Sequence, residues 1–130
     1  MAKNYLVDTS IIVDYLRGSK KAASFLNLQN PIIISVITAT EIYQGAKNKK
    51  ELNILKELIN RFKVIPINVN ICQLALTLLE NYTLSHHLLI LDSLIAATVI
   101  KNKLTLVTGN YKHFSMIKKL QVQKWSQEKI

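Results

Sequence analysis

The chain holds only 8 acidic side chains against 17 Lys and Arg, and where those acids sit is the first feature with chemical content. All three aspartates, Asp8, Asp14 and Asp92, and the glutamate Glu41 stand in or beside strongly apolar stretches. A carboxylate among apolar residues loses hydration and needs a compensating partner. If Asp8, Glu41 and Asp92 converge, with Asn110 alongside, their mutual repulsion calls for a hard divalent cation such as Mg²⁺ or Mn²⁺, which prefers oxygen ligands. An ion of that kind activates water and neutralises a leaving oxygen, the two requirements of phosphodiester hydrolysis. Asp8 and Asp92 would then be direct ligands, Glu41 would bind the ion or orient the attacking water, and Asn110 would offer its amide oxygen. Each residue alone also has a plainer role. Asp8 and Asp92 suit helix caps, Glu41 a solvated helix face and Asn110 a turn, so the joint pattern carries the argument.

Other reactive side chains add less. Asp14, a turn and a half beyond Asp8, either supports the same site or faces water. His86, His87 and His113 match no familiar zinc spacing and read as loop or surface histidines. Cys72, within Ile71-Cys72-Gln73-Leu74-Ala75, reads as a small buried thiol, and a single cysteine excludes a disulfide framework. The formal charge of +9 projects a positive field and suits a polyanionic partner. Charge alone leaves nucleic acid, acidic protein and simple solubility open.

Residues so far apart in sequence need a scaffold to meet, and the hydropathy pattern supplies one. Tyr5-Leu6-Val7 reads as a short strand running into Asp8-Thr9-Ser10, a cluster able to cap a helix carried by Ile11, Ile12, Tyr15 and Leu16. Gly18-Ser19 closes it, and residues 20–28 form a second short helix. After Asn30-Pro31, the β-branched run from Ile32 to Val36 is a buried strand, and residues 38–45 form the helix bearing Glu41. Residues 48–62 show an amphipathic helical period, and Val64-Ile65-Pro66-Ile67 is a third strand. A leucine-rich helix over 70–82 precedes a loop at Ser85-His86-His87. Asp92 heads an almost wholly apolar, hence buried, helix reaching Val99. A fourth strand over 104–108, a Gly109-Asn110 turn, a short helical piece from His113 to Ile117 and an extended stretch over 120–125 follow.

Strands alternating with helices predict a parallel sheet covered on both faces, in one domain spanning residues 1–130. Such sheets bind ligands beyond the carboxyl ends of their strands. Asp8 follows the first strand, Glu41 lies about a turn into the helix after the second, and Asn110 sits just past the fourth. Asp92 heads the helix feeding the fourth strand, and chain direction alone leaves open whether it reaches the same rim. No apolar run is long enough to cross a bilayer, and Met1-Ala2-Lys3-Asn4-Tyr5 lacks the apolar core of a secretory signal, so the expected setting is the cytoplasm.

Four segments in order, Leu6-Val7-Asp8-Thr9-Ser10, Ser35 to Gly45 with Glu41, Asp92-Ser93-Leu94-Ile95-Ala96-Ala97 and Thr108-Gly109-Asn110-Tyr111-Lys112-His113-Phe114, resemble the four blocks of a PIN domain. Within that family the compact size resembles VapC-type toxins. The resemblance implies an α/β three-layer sandwich with a parallel sheet of about five strands flanked by helices, a Mg²⁺ or Mn²⁺ centre and endonucleolytic cleavage of RNA. It also implies a homodimer and inhibition by a VapB-like antitoxin encoded alongside. The family's acidic positions fall on Asp8, Glu41 and Asp92, with Asn110 at the fourth. Three residues further on, where the family often has an acid, stands His113, which puts a fourth carboxylate in doubt. The basic surface would hold the RNA backbone with little sequence choice, and exposed single strands or loops fit such a cleft best. The antitoxin would lay an apolar segment into a groove near the site and set a basic side chain among the carboxylates. The His113 departure leaves an alternative, a non-catalytic RNA-binding or protein-interaction module, and a nuclease of RNA maturation is a third reading.

Overall fold

Two short apolar strands, buried on both faces, organise the fold. The computed structural model describes residues 4–126. Met1, Ala2 and Lys3, part of the segment judged against a secretory signal, lie outside the described residues. The strands β1 (Tyr5–Val7), β2 (Ile33–Ser35), β3 (Lys63–Ile65), β4 (Thr105–Thr108) and β5 (Val122–Lys124) form one sheet in the order β3-β2-β1-β4-β5. Every pairing is parallel, with Leu6 opposite both Ile33 and Leu106. The helices are α1 (Thr9–Leu16), α2 (Lys20–Asn27), α3 (Val36–Gln44), α4 (Lys49–Asn60), α5 (Val69–His86) and α6 (Ile90–Lys101).

Because successive strand residues point to opposite faces, Leu6 and Leu106 enter a core shared with α5 and α6. Their neighbours Val7 and Val107 enter a second core with α1, α2 and Ile59 of α4. All four side chains are fully buried. Burying each contributes roughly 1.5–3 kcal/mol, which locks the register of β1 against β4. Helix α3 belongs to both cores, placing Ile37 in one and Ala39 and Ile42 in the other. It therefore lies across the end of the sheet, and Glu41 travels with it.

The expected α/β sandwich is present, and the differences lie at element ends. The Ser35 hydroxyl accepts from the Thr38 amide at 3.1 Å, so α3 starts at Val36, two residues ahead of expectation. Helix α5 runs on through Ser85 and His86, residues the sequence placed in a loop, and stops only where His87 turns left-handed at φ 53°. Nothing between Tyr82 and His86 breaks a helix, and polarity alone does not end one. Helix α6 begins at Ile90, so Asp92 sits inside its first turn and does not cap it. Past β4, a 3-10 turn over Tyr111–His113 replaces the helical piece expected from His113 to Ile117. Cys72 is exposed, contrary to expectation, because the buried stripe of α5 is Ile71, Ala75 and Leu78 and Cys72 falls off it. No helix among the described residues is long and apolar enough to cross a membrane.

The last strand is fastened by a contact that spans the chain. The Trp125 amide donates to the Thr108 carbonyl at 2.8 Å, and its indole Nε1 donates to Asp14 Oδ2 at 2.9 Å. Both side chains are buried. Phe25 packs against the indole at 5.4 Å between centroids, and the Lys21 ammonium lies 4.4 Å from the ring centre. Asp14 thus faces an indole and not water. Trp125→Phe keeps the ring's bulk but removes the donor to a buried carboxylate. It should lower stability by about 1–3 kcal/mol in urea unfolding, and a wild-type midpoint would show that the bond contributes nothing.

Candidate active site

The chain builds β1, β2 and β3 outward in one direction and then returns to place β4 and β5 on the other side of β1. The junction of β1 with β4 is therefore where strand order reverses, and in open parallel sheets a crevice forms there beyond the strands' carboxyl ends. Asp8 is the first residue past β1, and its backbone amide donates to the Val107 carbonyl at 3.0 Å, which carries the β1–β4 pairing one step further.

Asp8 is 4% exposed, and its two carboxylate oxygens are divided between the flanking elements. Oδ1 accepts from the Thr9 amide at 2.8 Å, so the residue caps α1 as its sequence suggested. Oδ2 accepts from the Thr108 hydroxyl at 2.5 Å. That hydroxyl in turn accepts from the Asn110 amide at 2.9 Å, which shapes the turn after β4. At the same turn the Gly109 amide donates to the Ser10 hydroxyl at 2.9 Å. A Cβ at Gly109 would stand 3.2 Å from the Ser10 side chain, so glycine lets the β4 turn and the start of α1 close up around Asp8.

Glu41 comes from α3, where Oε1 accepts from the Thr9 hydroxyl at 2.9 Å. Asp92 comes from the first turn of α6, where an acidic side chain complements the helix dipole, and its Oδ2 lies 3.3 Å from His113 Nδ1. Asn110 is exposed beside Glu41 and Asp14 along a cleft of about 370 Å³. Asp92 instead borders a neighbouring cavity of about 200 Å³ with His86, His87, Lys112 and His113.

The electrostatics tie the three acids together. Burial raises the proton affinity of Asp8 above the ordinary carboxylate value, and the bonds from Thr108 and Thr9 and the nearby His113 offset part of that rise. Burial likewise raises Glu41, the Thr9 hydroxyl opposes it, and the charges of Asp8 and Asp92 push it further up. Asp92 is raised by burial and by Asp8, against the lowering influence of His113. Asp8, Glu41 and Asp92 therefore share one electrostatic neighbourhood. Among the described residues, however, no three His, Cys, Asp or Glu side chains are already gathered as a ready-made metal cluster. The donor set still suits a hard cation. All three groups offer oxygen, and each is held where charge without a counter-ion is disfavoured.

The sequence pointed to Asp8, Glu41, Asp92 and Asn110 but not to the hydroxyls that aim them. Thr9 and Thr108 were visible only as a capping cluster and a strand end. The signal that could have exposed them is a hydroxyl residue directly after an apolar strand or directly after an acid. Asp14 lines the cleft as well, engaged by Trp125.

Comparison with known proteins identifies what the chain as a whole is similar to. The PIN domain family model matches residues 5–120. Ribonuclease VapC10 of Mycobacterium tuberculosis is 32% identical over 119 residues, covering 88% of this chain and 89% of the relative. Among solved structures, a toxin-antitoxin complex from Klebsiella pneumoniae superposes with a TM-score of 0.79 at 28% identity, covering 98% of this chain and 100% of that one. VapBC2 of Rickettsia felis, bound to a DNA fragment from its promoter, gives a TM-score of 0.79 at 26% identity over 94% of this chain and 98% of that one.

The raised carboxyl groups make stability depend on pH in a definite sense. For Glu41 the folded value lies above the unfolded one, so the protonated form fits the fold better. Its favourable contribution is complete below the unfolded value and is lost as pH climbs through the folded one. Glu41→Gln keeps an oxygen for the Thr9 hydroxyl and removes the charge. In EDTA at pH 7 the variant should therefore melt above the wild type, and the gap should close as pH drops below the usual carboxylate range. A wild type that melts at or above the variant's temperature at pH 7 would refute the cost of a charge at Glu41, set first by burial and then by Asp8 and Asp92.

Proposed function

The chain belongs to the PIN-domain family, among its VapC-type ribonucleases, and on that premise we propose that it is the toxin of a toxin–antitoxin pair, a Mg²⁺- or Mn²⁺-dependent endoribonuclease working as one domain in the cytoplasm. The observation that carries the metal-dependent part is the grouping of Asp8, Glu41 and Asp92, which leave β1, α3 and α6: burial raises the proton affinity of all three, Asp8 and Asp92 push Glu41 further up, and Asp8 does the same to Asp92. A divalent ion bound there would supply Lewis acidity, easing deprotonation of the attacking water and neutralising the leaving oxygen. Asp8 and Asp92 would hold it, with the Asn110 side-chain oxygen alongside and Glu41 next to its water shell. Mg²⁺ commonly uses only one or two carboxylates and keeps several waters, so a tightly closed cluster is not required.

The chain's own residues do the positioning. Thr9 and Thr108 donate to Glu41 and Asp8, so both carboxylates are held in place before substrate arrives. Glu41, exposed on α3, is the group free to orient the attacking water and to take up its proton as the new P–O bond forms. The ester bond to the leaving sugar oxygen breaks in the same displacement. A formal charge of +9 draws RNA to a rim that is itself acidic, and cleavage in exposed single strands fits an open cleft.

The partner reading draws on the other side of Glu41. A groove of about 490 Å³ runs between α1, α3 and α4, lined by Val13, Leu16, Ile42, Ile54 and Leu55 with Glu41 at its edge. An apolar antitoxin segment seated there would bring a basic side chain to Glu41. For a homodimer, the exposed Leu84, Ile90 and Leu91 at the α5–α6 junction offer an uncovered apolar surface.

The deciding experiment is cleavage of a single-stranded RNA with Mg²⁺ or Mn²⁺, with EDTA, and with Asp8→Asn or Asp92→Asn. Each substitution should lower cleavage by more than about 100-fold, beyond the 10–100-fold typical of outer-shell partners, and EDTA should abolish it. Cleavage indifferent to both chelation and substitution would reject the mechanism.

A further inference from the structure

Two cavities divide Glu41 and Asp92 between them, and their linings are opposite in chemistry. The cleft beside Asn110 carries the carboxylates Asp14 and Glu41 and no cationic side chain. The neighbouring cavity, entered two residues further along the chain, carries Lys112 and three imidazoles, those of His86, His87 and His113, around the single carboxylate Asp92. The imidazoles are arranged by separate contacts. His113 Nδ1 faces Asp92 at 3.3 Å, leaving Nε2 as the ring's other polar atom. His86 Nδ1 pairs with the Ser85 hydroxyl at 2.7 Å, and its ring meets the Tyr82 ring at 6.0 Å, which likewise leaves Nε2. The left-handed backbone of His87 turns the chain out of α5 so that two consecutive histidines line one cavity.

We propose that this cavity is a phosphate subsite, in which His86, His87, Lys112 and His113 hold an RNA backbone phosphate next to the one being cleaved. The proposal rests on the ribonuclease reading and extends it, because it assigns backbone recognition to particular side chains. Imidazole N–H groups and an ammonium are donors suited to phosphate oxygens. A volume of about 200 Å³ has room for a phosphate and a few waters at about 30 Å³ each. A metal is the competing occupant for three histidines and an aspartate. Lys112 on the same lining opposes a cation and favours an anion, and a phosphate flanked by waters does not need the side chains to converge on a point. The substrate strand then lies in a fixed sense, with the scissile phosphate at the carboxylates and its neighbour over the histidines.

The test uses the full chain and a single-stranded RNA whose cleavage site the wild type has mapped. His87→Asn, chosen because asparagine tolerates a left-handed backbone, is combined with Lys112→Ala. The double variant should show KM for RNA raised about tenfold, with the loss falling on KM and not on kcat. The slope of log affinity against log salt should shrink by about 0.7, one phosphate contact on a single strand. RNAs carrying one neutral methylphosphonate at each position in turn then locate the contact. Wild type should lose affinity when the phosphate beside the scissile bond is neutralised, and the double variant should be indifferent to it. Lys101→Ala, at the far end of α6, should keep the wild-type response. Both sites are exposed, so thermal melts close to wild type will separate binding from folding. A double variant with wild-type KM and wild-type methylphosphonate response overturns the subsite while leaving the ribonuclease intact. So does Zn²⁺ binding lost in the double variant with RNA affinity unchanged. A wild type that cuts no RNA overturns the ribonuclease reading and the subsite together.

Discussion

The position of one buried carboxylate constrains the rest of this molecule. Asp8 stands where β1 ends and strand order reverses, with its amide bound to β4, one oxygen on the first amide of α1 and the other on the Thr108 hydroxyl. These bonds reduce the cost of keeping charge there without cancelling it, since burial still raises the group's proton affinity. The register of β1 against β4 and the glycine at the β4 turn both bear on whether those three donors reach their acceptors. A slip of one residue in either strand would turn Leu6 and Val7, or Leu106 and Val107, to the wrong cores and remove the Thr108 hydroxyl from Asp8.

How much of this the sequence discloses follows from the range of each interaction. Strand alternation and helical period are short-range, so Leu6 and Val7, the Leu52 to Phe62 stripe and the buried helix after Asp92 were legible, and with them the sandwich. Asp8 at a strand end and Asp92 within an apolar run were legible as oddities of solvation. The Trp125–Asp14 bond joins residues 111 apart, and the Thr108–Asp8 bond residues 100 apart. No periodicity records such pairs. Asp14 was consequently undecided between site and solvent, and the aiming hydroxyls went unrecognised. The misplaced end of α5 and the exposed Cys72 have a simpler origin, since a polar stretch does not stop a helix and an apolar neighbourhood in sequence is not one face in space.

The uneven distribution of charge has a functional consequence. A chain of +9 overall brings together Asp8, Glu41 and Asp92, whose charges act most on Glu41, and sets Lys112 and the histidines around Asp92. Long-range attraction thus brings a polyanion in, while the rim itself opposes phosphate until a cation is present. On the proposed reading, both cavities would favour the same strand only with an ion in place, which would make metal loading a condition for productive seating as well as for chemistry.

The same repulsion also supplies a route to inhibition. A divalent ion in the proposed site would relieve it from one side, and a basic side chain of an antitoxin seated in the α1–α3–α4 groove would relieve it from the other side of Glu41. Both draw on a single electrostatic need, so satisfying one lessens the gain from the other. Linkage then makes the antagonism reciprocal, with the partner weakening the ion to the same extent that the ion weakens the partner. Inhibition on these terms needs no change in the fold, because the carboxylates stay where Thr9 and Thr108 hold them and only the identity of their counter-charge changes.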